Sequence, residues 1–188
     1  MITKQARLDQ IQQQILQNQV TPELAESATQ LVFGSGNPDA EIVLIGEAPG
    51  KKEDLVGQPF VGASGKLLDE MLGSIDFDRQ DLYITNIVKY RPLKNRDPSL
   101  DEKAEFLPYL ESQLEVIQPK LMITLGRHSL NCFLPDLIIG KVHGQLQQFG
   151  DRYLLPLFHP AAALYNGGLR QTLIDDFSSI PLILKNIK

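Results

Sequence analysis

The 188-residue chain has one cysteine, Cys132, and no tryptophan. A single thiol excludes an intrachain disulfide framework, a zinc knuckle and any cluster held by several cysteines of this chain. No segment approaches the ~20 apolar residues of a membrane span, and the first residues lack the apolar core of a secretory signal. These absences indicate a reducing compartment, so we expect a cytoplasmic protein without a membrane partner.

Positive charge is also scarce, because 18 Lys and Arg stand against 23 Asp and Glu, a formal net charge of -5. This balance excludes general affinity for polyanions, so a nucleic acid would have to be held by a local basic patch. Hydrophobic residues make up 43% and charged residues 22% of the chain, close to the globular average. We expect one domain over residues 1–188, and a monomer.

Four short apolar runs predict buried β-strands, at residues 42–45, 82–85, 121–125 and 153–158. Apolar residues at helical spacing predict helices between them, over residues 65–72, 101–117 and 128–133. The same spacing within residues 1–20 predicts an N-terminal helix that packs on the domain. The alternation predicts an α/β fold, a three-layer α/β/α sandwich with a central four-stranded, mostly parallel sheet.

Polar and small residues follow the predicted strands directly. They are Glu47, Asn86, Gly126 and His159. Ligands of an open parallel sheet bind beyond the carboxyl ends of its strands, and Phe60 lies in a Gly/Pro-rich loop that can reach the same crevice. An aromatic face stacks on a planar ring, a carboxamide binds its edge, and an imidazole stabilises charge on a carbonyl oxygen. The set suits a planar polar ring such as a pyrimidine base.

Each of these residues also has an ordinary structural interpretation. Asn86 could hold a turn, and Glu47 could accept hydrogen bonds from loop amides. His159, which precedes Pro160, could be a structural histidine, and Phe60 could belong to the core. Only their joint placement at one rim favours a site. No metal site is predicted, because the histidines of the sequence are not at helical ligand spacing.

Several short motifs run through most of the chain, from about residue 22 to beyond residue 164. They include Gly46-Glu-Ala-Pro-Gly50, Gly57-Gln-Pro-Phe-Val-Gly62, Thr85-Asn-Ile-Val-Lys89, Asn95-Arg96 and His159-Pro160. In this order they resemble the uracil-DNA glycosylase superfamily, and within it family 4. The resemblance implies the fold of that superfamily and an enzyme that hydrolyses the N-glycosidic bond of deoxyuridine in DNA, which releases uracil and leaves an abasic site.

The resemblance also implies roles for single residues. Glu47 would belong to the catalytic loop, and His159 would support the charge that develops on the departing base. The uracil-binding residues would be Ala48, Phe60 and Asn86. Two alternatives stay open: a catalytically silent DNA- or protein-binding homologue, and a glycosylase for another deaminated base.

Contact with DNA is predicted at four positions. The resemblance implies that Leu164 enters the duplex and fills the space of the extruded base. Lys89, Arg91 and Arg96 supply positive charge near the strand ends and are candidate phosphate contacts, with an ordinary solvated loop as the alternative. Tyr165 departs from the family pattern, since relatives usually have an arginine there.

A second departure concerns a cofactor. Family 4 enzymes carry an iron–sulfur cluster on four cysteines, and the matching positions here are Gln19, Pro22, Tyr90 and Phe106. None of these side chains can bind iron through sulfur, so we expect a variant without the cluster and without another cofactor. Tyr90, Phe106 and Pro22 are expected to fill the vacated volume with apolar packing.

Overall fold

The structure is a computed structural model that describes residues 2–187. Its α-helices are α1 (Lys4–Gln17), α2 (Pro22–Ser27), α3 (Lys51–Val56), α4 (Ala63–Gly73), α5 (Leu100–Ile117), α6 (Arg127–Phe133), α7 (Ile139–Val142), α8 (Pro160–Tyr165), α9 (Gly168–Ser178) and α10 (Ile180–Asn186). Its strands are β1 (Ser35–Gly36), β2 (Ile42–Gly46), β3 (Tyr83–Asn86), β4 (Leu121–Leu125), β5 (Gln147–Phe149) and β6 (Arg152–Leu157). Short 3-10 turns cover Arg79–Asp81 and Leu93–Asn95.

The strands form one sheet in the order β1-β3-β2-β4-β6-β5. The four inner strands run parallel, whereas β1 and β5 pair antiparallel at the two edges. The three-layer α/β/α prediction is confirmed, and each of the four predicted strands begins and ends within one residue of its apolar run. The strand count of four is wrong, because β1 has only two residues and β5 reads Gln-Gln-Phe, so neither contains an apolar run.

The inner strands are apolar because both of their faces are covered. Every residue of β2 is buried, and its side chains alternate between two core clusters. Val43 and Ile45 face the cluster that contains residues of α1, α5 and α6. Ile42 and Leu44 face the cluster that contains residues of α4, α9 and α10. This period of two places one helical layer on each side of the sheet.

Helix α1 packs against α5 on the first of these layers. Leu8, Ile11 and Ile15 are buried in one cluster with Leu110 and Leu114 of α5. Within residues 2–187, no helix is long and apolar enough to cross a bilayer. That residues 1–188 form one domain stays a prediction.

Two segments that contain Pro and Gly, and so are typical of loops, include short helices. Helix α3 lies within residues 46–65, directly after a Pro-Gly pair, and α8 lies within residues 159–168. The second helix begins with Pro160 in its first turn, where a missing N–H costs nothing, and His159 is its N-cap. Proline therefore marks a helix start in this segment rather than an irregular loop.

Candidate active site

A cavity of about 340 Å³ opens at the carboxyl edge of the parallel strands. Glu47 follows β2, Asn86 ends β3, and His159 lies two residues beyond β6. Six of the nine predicted site residues line this cavity: Glu47, Ala48, Phe60, Asn86, Arg96 and His159. The parallel topology brings these residues together because the carboxyl ends of β2, β3 and β6 lie at one edge of the sheet.

Phe60 forms one wall of the cavity, and its ring is closely packed. The ring is stacked against His159, with 5.5 Å between the ring centroids and 27° between the planes. It also lies against Gly46, where a Cβ atom would stand 2.7 Å from a ring carbon. A side chain at position 46 would therefore displace the aromatic wall, which explains why a glycine ends β2.

The loop that carries Phe60 is held from two sides. Phe60 itself has a left-handed backbone with φ of 54°, which is unfavourable for a bulky residue unless the surroundings enforce it. Buried Glu53 accepts hydrogen bonds from the backbone N–H groups of Val61 (2.9 Å) and Gly62 (2.7 Å). Arg79 donates to the carbonyl oxygen of Phe60 and, at 3.1 Å, to that of the preceding residue. These contacts fix the ring before any ligand arrives.

Lys89 lies in the interior of the protein, bonded to the backbone of Asn86, and not on the surface. Its side chain is fully buried, and Nζ donates to Thr85 Oγ1 (2.7 Å), to the backbone oxygen of Asn86 (2.7 Å) and to Gln113 Oε1 (2.5 Å). Burial lowers the pKa of this amine well below its usual value. The predicted phosphate contact of Lys89 is therefore wrong, because the chain turns after β3 and folds the side chain back under the strand end. Lys89 supports Asn86 instead.

His159 is held as a neutral imidazole. Burial lowers its pKa to about 4, so the ring is uncharged at neutral pH. Its Nδ1 accepts a hydrogen bond of 3.1 Å from the backbone N–H of Ala161, which places the ring proton on Nε2. The N-cap position thus fixes the tautomer and leaves the Nε2–H as a donor.

Glu47 is a carboxyl group of the cavity whose ionisation is altered by its surroundings. Burial, and then the nearby charge of Asp97, raise its pKa to about 7. A carboxyl group with this pKa can gain or lose a proton near neutral pH, as a general base must. Its Oε1 atom is buried and has no hydrogen-bond partner within residues 2–187.

Three neighbours of this site were missed at the level of sequence: Glu53, Asp97 and His128. Glu53 and Asp97 line the cavity, and His128 Nε2 lies 3.7 Å from Glu47 Oε1. The motif Asn95-Arg96 directly precedes Asp97, and Gly126 at the end of β4 leads into the first turn of α6, which carries His128. Extending the search to the third residue beyond each strand end would have found His128.

The remaining predicted DNA contacts lie at or near the surface. Partly exposed Arg91 donates to Asn95 Oδ1 at 2.7 Å, and exposed Arg96 forms two hydrogen bonds with Glu102, of 2.8 and 2.5 Å. Leu164 is 47% exposed on α8 and Tyr165 is 92% exposed. All are accessible to a partner, and their roles in DNA binding stay predictions.

The four positions that match the cluster cysteines do not fit an iron–sulfur cluster, since none supplies sulfur. Tyr90 and Phe106 are buried against each other, with ring centroids 6.0 Å apart and an interplanar angle of 62°. Gln19 and Pro22 are exposed. Tyr90 and Phe106 are therefore packed as predicted, whereas the prediction is wrong for Pro22, which is exposed at the start of α2. That the two rings occupy the volume of a cluster stays a prediction.

Comparison with known proteins agrees with this geometry. Residues 33–178 match the family model of the Uracil DNA glycosylase superfamily. A Type-4 uracil-DNA glycosylase of Saccharolobus solfataricus is 46% identical over 82% of this chain and 80% of its own length. Relatives of the same name from Archaeoglobus fulgidus and Thermotoga maritima are 45% and 38% identical, each over 84% of both chains. The chain belongs to the uracil DNA glycosylase superfamily.

Proposed function

We propose that this protein is a DNA repair glycosylase that hydrolyses the N-glycosidic bond of deoxyuridine in DNA, releasing uracil and leaving an abasic site. The observation that carries the proposal is that an aromatic wall, a carboxamide, a neutral imidazole and a carboxyl group meet in one cavity of about 340 Å³. A base cannot reach such a cavity from within a duplex, so the nucleotide must turn out of the stack, which is easiest for a weakly paired uracil opposite guanine.

Phe60 and Asn86 recognise the uracil base. The Phe60 ring offers its face to the uracil ring, and the Asn86 carboxamide pairs with the uracil edge. Cytosine presents an amine where uracil presents a carbonyl oxygen, so it leaves an unpaired donor in the cavity. The buried amine of Lys89 supports this selection, since it holds the backbone oxygen of Asn86.

The bond from C1′ of the sugar to N1 of uracil breaks with both electrons on the base. As the bond breaks, His159 donates a hydrogen bond from its Nε2–H to the carbonyl oxygen on which the negative charge develops. The proton stays on Nε2, so this stabilisation needs no proton transfer. Water adds to C1′ of the sugar, and its proton passes to Glu47 or to solvent. Alternatively, the Glu47 carboxylate stabilises the positive charge on the sugar. Both roles need Glu47 in its ionised form.

The duplex would meet the surface around the cavity mouth, with Arg91 and Arg96 at backbone phosphates and Leu164 in the space of the extruded base. Arg96 is already paired with Glu102, so a phosphate has to compete with that carboxylate. We also propose that this protein has no iron–sulfur cluster. The expectations of a monomer and of a cytoplasmic location stay predictions.

A uracil-release assay on defined duplexes tests the proposal. Purified protein is incubated with a duplex that contains one U·G pair, and alkali then cleaves the abasic strand. We expect cleavage by the wild type and a loss of at least ~10²-fold in Glu47→Gln, a loss of the size that general acid–base catalysis supplies. Glu41→Gln is the matched control, because Glu41 forms an exposed ion pair with Lys120.

The same assay separates the alternatives. A protein that binds the duplex but releases no base would be the silent homologue. Release of hypoxanthine or xanthine in preference to uracil would show a different substrate. Iron analysis of the same preparation tests whether the protein carries an iron–sulfur cluster. Iron in stoichiometric amount would contradict the proposal that it has none.

A further inference from the structure

A group of charged side chains adjoins the cavity beside Glu47. The charged members, Asp97, Lys103 and Arg127, come from the segment before α5, from α5 and from α6, and the uncharged His128 and Cys132 of α6 lie among them. Among the described residues, none donates a hydrogen bond to Glu47 Oε1, although this atom is buried. A buried carboxylate oxygen without a donor is costly, so a nearby N–H that can reach it is significant.

His128 carries such an N–H, and its neighbours fix the ring. Lys103 Nζ lies 3.2 Å from Nδ1 of His128. Because an ammonium group can only donate, Nδ1 accepts, and the proton of the neutral ring lies on Nε2. Nε2 lies 3.1 Å from Asp97 Oδ2 and 3.7 Å from Glu47 Oε1. The Nε2–H therefore stands between two carboxylate groups.

The two carboxylates, Asp97 and Glu47, differ in their exposure to water and therefore in their need for this donor. The side chain of Asp97 is 62% exposed, so water can replace the donor there. The side chain of Glu47 is 24% exposed and its Oε1 atom is out of reach of water. A movement of roughly 1 Å brings the Nε2 atom of His128 within the ~2.7–2.9 Å of a charge-assisted hydrogen bond to Oε1.

We propose that His128 is a positioning residue that donates its Nε2–H to Glu47 and thereby holds this carboxylate ionised beside the extruded nucleotide. This inference rests on the proposed function, in which the ionised Glu47 acts on water or on the sugar. Asp97 and Lys103 are the supports that keep the imidazole proton on the side of Glu47.

The charges around Glu47 explain why such a donor matters. Burial and Asp97 raise the pKa of Glu47, whereas Lys103 and Arg127 lower it, and the pKa is about 7. A hydrogen bond to the charged form lowers a carboxyl pKa further, so removal of the donor raises it. Without His128, a larger fraction of Glu47 is protonated and inactive at neutral pH.

Lys103 argues against two other interpretations of this cluster. One is that His128 Nε2 accepts a hydrogen bond from Arg127, and the other is that the cluster binds a metal ion. Arg127 Nε–H is directed at His128 Nε2 at 3.0 Å and would need the other tautomer, but that tautomer turns an N–H toward the Lys103 ammonium and leaves Asp97 Oδ2, 3.1 Å from Nε2, without a donor. Glu47, Asp97 and His128 also place three possible metal ligands within 4.8 Å of one another. A divalent cation there would lie close to two cationic side chains, so we favour the hydrogen bond and keep the cation as an outcome of the test.

The first experiment measures the pH dependence of uracil release under single-turnover conditions. In His128→Ala, the midpoint of the acid limb should move up by about one pH unit, a shift equivalent to one hydrogen bond, and the rates should converge with the wild type at high pH. His128→Gln should restore the wild-type profile, because its amide reaches the position of Nε2. His128→Asn should behave like His128→Ala, because its amide reaches only the position of Nδ1.

His143→Ala is the matched control. Its ring contacts Asp176 at 2.9 Å and is not part of the cavity, so the acid limb should stay in place. Equal loss of rate at every pH in His128→Ala and His128→Asn, or an unmoved acid limb in both, would overturn the proposal. Loss of wild-type activity with EDTA, restored by a divalent cation, would replace it with a cation site.

A second measurement does not depend on activity. The carboxyl carbon of Glu47 can be titrated by NMR in ¹³C-glutamate protein, with Glu47→Gln to identify the signal. The pKa of Glu47 should be higher in His128→Ala than in the wild type, and an equal or lower value would overturn the role of His128. If the wild type releases no uracil, the proposed function fails while this titration still decides the role of His128.

Discussion

His159 combines two properties that follow from its place at the start of α8. Burial keeps the imidazole uncharged above pH of about 4, and the N–H of Ala161 keeps its proton on Nε2. A neutral donor needs no proton transfer when charge appears on the uracil oxygen, and it is available throughout the neutral range. In the proposed reaction, the residue would therefore act through a fixed dipole rather than as an acid.

We expect His159→Ala to reduce single-turnover uracil release by ~10²–10³-fold, the usual cost of removing one such donor. The loss should be the same from pH 6 to pH 8, because His159 does not titrate in this range. Stopped assays on a U·G duplex at several pH values measure both features. A retained rate would assign His159 a structural role only, and a loss confined to low pH would show that the imidazolium form acts.

At the scale of elements, the loop between α3 and α4 is the part that shapes the cavity. Its position depends on a carboxylate from α3, Glu53, and on a guanidinium from outside the cavity, Arg79. Arg79 is itself oriented by Asp69 of α4, with 2.6 Å between Nε and Oδ1. At Gly65, a Cβ atom would stand 1.8 Å from the oxygen of Phe60, so the backbones of loop and helix touch directly.

We expect Arg79→Ala to raise the KM for uracil-containing DNA about tenfold with little change in kcat. The reason is that stacking on Phe60 contributes to the ground state and the transition state alike, and the loss of one charged hydrogen bond is worth about this factor. Steady-state kinetics on a U·G duplex separate the two constants.

Arg170→Ala is the control for this loop variant. Arg170 pairs with Glu70, the residue after Asp69, on the exposed side of α4. Equal changes in both variants would mean that the effect of Arg79 is general destabilisation. A fall in kcat at constant KM would mean that the loop acts in the chemical step.

The elements also define what sequence alone can predict. Strands β2, β3, β4 and β6 could be found because two-sided burial leaves an apolar run, and their parallel order made Glu47, Asn86 and His159 neighbours. Burial of Lys89 could not be found, since it depends on a turn that folds the chain back on itself. His128 escaped because it lies in the first turn of α6, three residues beyond β4, rather than directly after the strand.

At the scale of the whole molecule, the buried position of Glu47 lowers the free energy of unfolding when this group is ionised. The pKa of this group rises from its usual 4.5 to about 7 on folding, so the folded state holds the proton more tightly than the unfolded state. The free energy of unfolding must then decrease as pH rises through this interval and stay low above it. The ionisation that the proposed reaction needs therefore weakens the fold.

We expect Glu47→Gln to be more stable than the wild type at pH 8, by on the order of 1–3 kcal/mol, and equally stable at pH 4. Urea unfolding at both pH values, followed by circular dichroism, measures the difference. Glu41→Gln should show no gain at pH 8, because Glu41 is exposed and paired. A lower stability of Glu47→Gln at pH 8 would mean that the carboxylate stabilises the fold.

The two outermost strands limit how this sheet can meet another protein. Strand β1 has two residues and β5 has three, so each border of the sheet offers few free amide and carbonyl groups. Edge-to-edge growth into fibrils needs a long, flat row of such groups. The short borders therefore end the ladder, and the molecule should resist cross-β aggregation even at the high concentrations used for crystallisation.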